Sequence, residues 1–185
     1  MIQNLWFALW FFLPAGLANV TPILASRIPI LKSMNTPLDF HKTYRSKRIF
    51  GDHKTWRGVI CGVLVGLIVT ILQMYVYKHN AWVRSISGTI NYSGASILLL
   101  GMLLGFGALF GDAIESLAKR QLQVASGDSW FPFDQLDYVI GGILLSLIYV
   151  RLSLINYVWI VILWFALHML FSYIGYVTKL KAKPI

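Results

Sequence analysis

The sequence predicts an all-α, polytopic membrane protein with five transmembrane helices. Of its 185 residues, 57% are hydrophobic and only 12% are charged. Soluble domains carry about 25% charged residues, so this chain has too few polar side chains to cover a surface that faces water. Its single cysteine, Cys61, lies in an apolar stretch. A disulfide framework and a thiolate-ligated metal site are therefore excluded.

Four apolar stretches account for the five predicted crossings, because about 20 residues cover about 30 Å of hydrocarbon. Residues 5–24, 58–77 and 92–110 are each long enough for one crossing. The first has neither the basic flank nor the cleavage site of a signal peptide, so it is predicted to stay in the mature protein. Residues 138–177 would extend about 60 Å as one helix, which predicts a hairpin of two crossings.

The basic residues predict the orientation of these helices. Thirteen of the 16 lysines and arginines fall on one side of the predicted membrane, in residues 27–57, 119–120 and 179–183. Three fall on the other side: Lys78, Arg84 and Arg151. The positive-inside rule makes the richer side cytoplasmic. The N-terminus is therefore predicted outside and the C-terminus in the cytoplasm.

The seven acidic residues also fall in the segments predicted to be cytoplasmic. Polar chemistry is thereby confined to two cytoplasmic loops, residues 25–57 and 111–137. We predict one transmembrane catalytic domain over residues 1–185, in a multi-pass protein of the cell membrane whose active site faces the cytoplasm.

The first polar motif follows the third predicted crossing, where the absence of proline lets the helix continue. At about 100° per residue, Asp112, Ser116 and Lys119 share one face, with Glu115 and Arg120 at its edges. A carboxylate, a hydroxyl and an ammonium group on one face suit a phosphate held partly by a metal and partly by a cation. The alternative is an interfacial helix end whose basic residues only anchor the topology.

The second motif is a pair of carboxylates, Asp134 and Asp137, that follows Pro132. Asp134 can cap the incoming helix, and Asp137 lies one turn further along the same face. Two carboxylates at the hydrocarbon boundary are unfavourable unless a cation pairs with them. Mg²⁺ is commonly held by one or two carboxylates and substrate phosphates, so the pair predicts Mg²⁺ or a basic partner.

The third motif, residues 51–58, leads directly into the second crossing. Lys54, Thr55 and Arg57 offer hydrogen-bond donors to a polyphosphate, and Gly58 lies where backbone N–H groups of a helix start are free. The alternative is a basic loop that only sets orientation. The histidines show no metal-ligand spacing, and His168, in mid-crossing, is predicted to be a hydrogen-bonded core residue.

In this order the motifs resemble those of the integral-membrane lipid cytidylyltransferases. The bacterial members carry K-T-x-E-G, then S-x-x-K-R, then D-R-x-D. This chain is closer to their short archaeal branch, the CDP-archaeol synthases. The matching segments are His53-Lys54-Thr55-Trp56-Arg57-Gly58, Gly111-Asp112-x-x-x-Ser116-x-x-Lys119-Arg120 and Pro132-x-Asp134-Gln135-x-Asp137. Arg57 replaces the bacterial glutamate and Gln135 the bacterial arginine, and Asp128 is the nearest stand-in for a Lys-Asp pair that this chain lacks.

The resemblance implies a CTP-dependent enzyme that converts 2,3-di-O-geranylgeranylglyceryl phosphate, an isoprenoid ether-lipid phosphate, to CDP-archaeol and releases pyrophosphate. Mg²⁺ is the implied cofactor; CTP, the lipid phosphate and membrane lipids are the implied partners, nucleic acid is not, and the oligomeric state is open. The implied roles are catalysis by Asp134, Asp137, Lys119 and Arg120, substrate binding by Lys54, Thr55, Arg57 and Ser116, and metal binding by Asp112, Asp134 and Asp137.

Two other classes of membrane protein are less consistent with these residues. The CDP-alcohol phosphatidyltransferases need a D-G-x-x-A-R element, whereas Asp112 is followed by Ala113 and Ile114. A small membrane cation transporter or channel is the alternative function. Acidic residues in mid-bilayer and half-helix repeats, which would favour a transporter, are both absent from the sequence.

Overall fold

The structure is a computed structural model that describes residues 1–124 and 128–179. Lys181 and Lys183, which contribute to the predicted orientation, lie outside these residues. The elements follow in the order α1 (Ile2–Arg27), a 3-10 turn (Pro29–Leu31), β1 (Thr43–Tyr44), β2 (Lys47–Arg48), α2 (Trp56–His79), α3 (Ala81–Ile86), α4 (Ile97–Gln121), α5 (Phe133–Ser146) and α6 (Leu154–Val177).

Four helices, α1, α2, α4 and α6, are long and apolar enough to cross a membrane. The predicted hairpin over residues 138–177 is present as α5 and α6, but α5 has only 14 residues. It is about 21 Å long, which is less than the hydrocarbon thickness of about 30 Å. It ends where the N–H groups of Ile148 and Tyr149 bond to carbonyls three residues back, a tighter turn than the α-helix. The five-crossing count therefore stays a prediction.

The hydrophobic core lies at one end of the bundle and packs α1 against α4 and α6. Its largest fully buried side chains include Phe11, Phe12 and Tyr92. Two hydrogen bonds tie the helices together there: the indole Nε1 of Trp164 donates to the Ala8 carbonyl at 3.0 Å, and the Tyr138 hydroxyl donates to the Trp164 carbonyl at 2.9 Å. These bonds satisfy the polar atoms of side chains that are otherwise apolar.

Helices α4 and α5 approach closely because glycines line their contact. A Cβ atom at Gly111 would collide with the carbonyl of Asp137, and one at Gly141 would collide with the carbonyl of Gly107. Only glycine permits this separation of the two backbones. Because Gly111 packs against Asp137, its neighbour Asp112 lies close to the first turns of α5.

The predicted topology can be tested by cysteine labelling in a Cys61→Ala background. Single cysteines at Asn80 and Arg151 are expected to react with an impermeant thiol reagent added outside intact cells, and cysteines at Lys32 and Lys179 only after lysis. Position 151 lies between α5 and α6, so its label reports whether the short α5 still takes the chain across. Labelling of position 32 from outside would contradict the orientation, and protection of position 151 would contradict the fifth crossing.

Candidate active site

A cavity of about 640 Å³ opens at the end of the bundle opposite the hydrophobic core. Its wall takes residues from α1, α2, α4, α5 and α6 and from the loop before α2. The three sequence motifs meet in it, and the predicted site residues that line it are Lys54, Thr55, Arg57, Asp112, Asp134 and Asp137. Motifs that are widely separated in the sequence therefore share one pocket.

One ion pair connects the loop motif to α4. The Lys54 ammonium group donates to Oδ2 of Asp112 at 2.6 Å. Both side chains are about three-quarters buried, so the pair is shielded from much of the solvent screening that weakens surface pairs. Thr55 has a structural task as well, because its hydroxyl accepts a hydrogen bond from the Gly58 N–H at 3.2 Å and caps α2.

A second ionic cluster connects α4 to α5. The Lys119 ammonium group lies 2.5 Å from an oxygen of Asp134 and 3.2 Å from an oxygen of Glu115. It also donates to the carbonyl of Asp128 at 3.0 Å. Lys119 is therefore a positioning group for a carboxylate of the cavity wall, rather than a cation that points freely into the cavity.

The two carboxylates of α5 differ in their partners. The predicted helix cap at Asp134 is wrong: Pro132 occupies the cap position, and Asp134 lies in the first turn with Oδ2 accepting the Trp130 N–H at 2.8 Å. The side chain reaches back because the chain turns between Trp130 and the helix. Asp137 accepts the N–H of Tyr138, and within residues 1–124 and 128–179 no lysine or arginine pairs with it.

Arg57 combines a fixed position with an unpartnered donor. Its guanidinium donates to the Leu31 carbonyl at 3.0 Å and to the Asn35 side-chain oxygen at 3.3 Å. Its Nε–H has no partner, although the residue is only 7% exposed and lines the cavity. Among the described residues no carboxylate pairs with this buried charge. Buried charges are normally paired, so the site suits an anionic ligand.

Three predicted site residues do not line the cavity within the described part of the chain: Ser116, Lys119 and Arg120. Ser116 is buried on α4, and Arg120 lies in the last turn of that helix. Both belong to the same α4 motif as Lys119. Part of this motif faces the neighbouring helices, and within it only Asp112 and Ala113 line the cavity.

Sequence reasoning missed Asp39, which organises the loop that carries Lys54. Its carboxylate is buried and accepts hydrogen bonds from the Arg48 guanidinium and from the N–H groups of His41, Phe50 and Gly51. Burial raises the pKa of this carboxyl, but these hydrogen bonds lower it more, so the pKa lies well below its ordinary range. The carboxyl group of Asp39 is therefore ionised, and its negative charge holds the loop together.

Backbone hydrogen bonds join the two ends of this loop to each other, and one side chain ties its hairpin to α4. The Leu38 N–H donates to the Lys54 carbonyl at 2.8 Å, and the Trp56 N–H donates to the Thr36 carbonyl at 3.0 Å. Lys47 in β2 donates to the carbonyl of Gln121 at the end of α4, at 2.8 Å. A cation near the last carbonyls of a helix is favourable. The loop is therefore held against α4, beside the cavity that its residues help to line.

Two further cavity residues were not predicted as site residues. Asn19 of α1 and His168 of α6 both line the cavity. His168 was predicted to lie in the core, whereas it is half-buried and lies where the core meets the cavity. Residues 160, 164 and 168 share one face of α6 at four-residue spacing. Ile160 and Trp164 fill the core, and His168 follows where the core ends and the cavity begins.

The donor set suits a metal that arrives with its phosphate ligands. In residues 1–124 and 128–179 no group of three or more His, Cys, Asp or Glu residues is arranged to hold a metal ion. Asp112 of α4 and Asp134 and Asp137 of α5 nevertheless line the cavity from two adjoining helices, and hard oxygen atoms are the ligands that Mg²⁺ prefers. Because Mg²⁺ is usually bound by one or two carboxylates together with substrate phosphates, these side chains fit such an ion.

Comparison with known proteins decides the family. The family model for CarS-like CDP-archaeol synthases matches residues 1–185. The chain belongs to the CDP-archaeol synthase family. It is 34% identical to the CDP-archaeol synthase of Thermococcus onnurineus strain NA1 over 145 residues, which cover 77% of this chain and 74% of that protein. It is 31% identical to the CDP-archaeol synthase of Pyrobaculum islandicum over 180 residues, 95% of this chain and 98% of that protein.

A solved structure of an intramembrane enzyme for archaeal membrane lipids biosynthesis has the same fold. It superposes with a TM-score of 0.69, covers 89% of this chain and 92% of its own, and is 24% identical. The resemblance drawn from the motifs is therefore confirmed. As a CDP-archaeol synthase family member, the chain is a membrane protein and a cytidylyltransferase-type enzyme. The alternative of a cation transporter is not favoured.

Proposed function

We propose that the protein transfers the cytidylyl group of CTP to 2,3-di-O-geranylgeranylglyceryl phosphate and releases pyrophosphate. The observation that carries the proposal is the single cavity in which carboxylates and cations from all three motifs meet at one end of a membrane bundle. A water-soluble nucleotide and a membrane lipid can both reach a pocket in that place. The names of the relatives, CDP-archaeol synthases, support the same pair of substrates.

In the proposed reaction the lipid phosphate is itself the nucleophile. One of its oxygens forms a bond to the α-phosphorus of CTP, while the bond from that phosphorus to the β-phosphate oxygen breaks and pyrophosphate leaves. The reaction needs no serine, cysteine or histidine nucleophile. Its physical demand is to hold two anions in line and to neutralise the charge on the leaving group.

The cations of the cavity can meet this demand. Arg57 presents an unpartnered Nε–H inside the wall, so an incoming phosphate oxygen would satisfy both its hydrogen bond and its charge. Lys54 is paired with Asp112 at 2.6 Å, and we propose that it exchanges this carboxylate for a CTP phosphate. The contacts of Lys119 favour holding Asp134 in place over contacting phosphate.

We propose that Asp134 and Asp137, with Asp112, hold Mg²⁺ together with the phosphates of CTP. The ion would supply charge neutralisation at the pyrophosphate as it leaves. Asp137 has no lysine or arginine partner among the described residues, so it is the first of the three aspartates expected to bind the ion. We further propose that the cavity faces the cytoplasm of the cell membrane, because the loops around it carry most of the basic residues.

Replacement of Lys54 by alanine is expected to raise the KM for CTP by about tenfold, since a charge-assisted hydrogen bond to a phosphate contributes about 1.5–3 kcal/mol. The KM for the lipid phosphate should change little. Lys42, an exposed lysine of the same loop, gives the matched control, and Lys42→Ala should leave both constants unaltered. Unchanged kinetics in Lys54→Ala would show that the basic residues of the loop only set the orientation of the protein in the membrane.

The proposed function is tested by assaying purified protein with CTP, the lipid phosphate and Mg²⁺, and then omitting each in turn. CDP-lipid and pyrophosphate should form together, and only when all three are present. Release of pyrophosphate in the absence of lipid phosphate, or formation of no CDP-lipid from the complete mixture, would contradict the proposal.

A further inference from the structure

The outer, lipid-facing side of α1 ends in a basic residue. Leu17, Val20 and Leu24 lie on one face of the helix at spacings of three and four residues, and each is exposed outside the bundle. Arg27 continues this face three residues later and is the last residue of the helix. Because α1 is long and apolar enough to cross a membrane, its exposed apolar face contacts lipid. Arg27 therefore leaves that face at the level of the headgroups.

The chain that follows α1 combines exposed apolar side chains with a second basic residue. Ile30 is 86% exposed, and Ile28 and Met34 are each nearly half exposed. Lys32 lies among them in the sequence and is exposed as well. Water hydrates such apolar side chains unfavourably, whereas apolar and basic residues together are typical of segments that lie in the interface of an anionic bilayer. Residues 27–35 are named the interfacial segment for this reason.

The two basic residues of the interfacial segment have no acidic partner in the described part of the chain. Arg48 and Lys54, which belong to the same predicted loop, are both paired with aspartates. No ion pair between described residues includes Arg27 or Lys32. The positive charges of these two side chains are therefore available to phosphate groups outside the protein.

The interfacial segment is folded and is bound to a residue of the cavity. The N–H groups of Leu31, Lys32 and Met34 each donate to the carbonyl three residues back, which makes a succession of tight turns. The Arg57 guanidinium donates to the Leu31 carbonyl at 3.0 Å and to the side-chain oxygen of Asn35 at 3.3 Å. Arg57 lines the cavity, so a contact that fixes the segment also fixes this arginine.

We propose that the interfacial segment docks on anionic headgroups of the surrounding bilayer and that this docking holds Arg57 at the cavity wall. The partner is the bilayer surface, because Arg27 continues a lipid-facing helix face and the exposed apolar side chains need hydrocarbon as well as phosphate. The link to Arg57 rests on the proposed function, whereas the docking does not. The position of the arginine that suits an anionic ligand would thus depend on the surface from which a lipid phosphate reaches the cavity.

The docking is tested with a fluorophore on a single cysteine, Met34→Cys in a Cys61→Ala background, in phosphatidylcholine vesicles. A small share of the lipid carries a spin label near the top of its acyl chain and is either phosphatidylglycerol or phosphatidylcholine. The anionic lipid should quench the fluorophore more strongly. Each basic residue near the surface enriches anionic lipid by about fivefold, so Arg27→Gln/Lys32→Gln should abolish most of this preference.

Two companion variants separate the contributions of charge and apolar contact. Lys42→Gln/Arg45→Gln removes the same charge from exposed residues in and beside the β1–β2 hairpin and should leave the lipid preference intact. Ile30→Ser keeps the charges and removes an apolar contact, so it should reduce quenching by both lipids alike. Equal quenching by the two lipids in the parent protein, or a preference that survives the loss of Arg27 and Lys32, overturns the docking.

The link to Arg57 is tested by kinetics in vesicles that contain unlabelled phosphatidylglycerol. Arg27→Gln/Lys32→Gln should lower kcat/KM about threefold, the effect of one weakened hydrogen bond. Asn35→Ala removes a bond to Arg57 while leaving the docking, so it should lower kcat/KM without changing the lipid preference. The three changes together should lower it no further, because they act through the same contact; fully additive losses overturn the link. If the wild type turns over no CTP, the proposed function fails, while the quenching comparison still decides the docking.

Discussion

Turnover is expected to fall by about 10²–10³-fold when Asp134 and Asp137 are both replaced by asparagine, the loss typical of removing one element of transition-state charge stabilisation. Asparagine keeps the size of the side chain, and at position 134 it can still accept the Trp130 N–H. The variant removes charge from the cavity, while Lys119 keeps its ion pair with Glu115. The rate should be measured at saturating CTP and across a Mg²⁺ titration.

The comparison variant is Asp52→Asn, which neutralises a carboxylate that lines the same cavity but is not among the proposed metal ligands. The Asp52 side chain is 71% exposed and pairs with Arg48 in the loop, so its loss should change the rate by less than about threefold, within the range of exposed ion pairs. A double variant that stays folded and keeps nearly full, Mg²⁺-dependent turnover would rule out the proposed metal site.

The second large effect is expected at Lys119. Replacement by methionine leaves Glu115 and Asp134 facing each other without the cation that lies 3.2 Å and 2.5 Å from them. Removing one partner from a buried ionic cluster costs about 3–5 kcal/mol, so the unfolding temperature in detergent should fall. Turnover should fall as well, because Asp134 would no longer be held on the cavity wall.

Two companion variants separate charge from position. Lys119→Arg keeps the cation and should recover most of the stability. Lys119→Met combined with Glu115→Gln removes one of the two repelling carboxylates, so it should recover part of the stability but not the turnover. Lys119→Met with wild-type stability and kinetics would show that the cluster has no role.

The long helices could be predicted from the sequence because the length of each apolar stretch determines where a helix forms. The apolar stretches correspond to α1, α2, α4 and the α5–α6 hairpin, and the continuation of α4 past the apolar run to Gln121 is confirmed. The start of α4 at Ile97 and not at residue 92 follows from the turn before it, where Asn91 accepts the Ser93 N–H. Such local hydrogen bonds do not appear in a hydropathy pattern.

The candidate site was accessible only in part. Motif residues could be named from chemistry and spacing, but their pairing depends on how helices pack. Glycines such as Gly111 and Gly141 bring α4 and α5 together, and this contact lets Lys119 reach Asp134. Asp39 and Asn19 carry no sequence signal of their own: one gains its importance from a folded loop and the other from a cavity wall.

The measurement that tests the central claim most directly follows the two ends of CTP separately. Purified protein is incubated with the lipid phosphate, Mg²⁺ and CTP labelled either at the α-phosphate or at the γ-phosphate. The α-label should appear in a lipid extractable into organic solvent, and the γ-label should appear in pyrophosphate, at equal rates. Recovery of the γ-label in the lipid, or its release as inorganic phosphate while the lipid stays unlabelled, would contradict cytidylyl transfer.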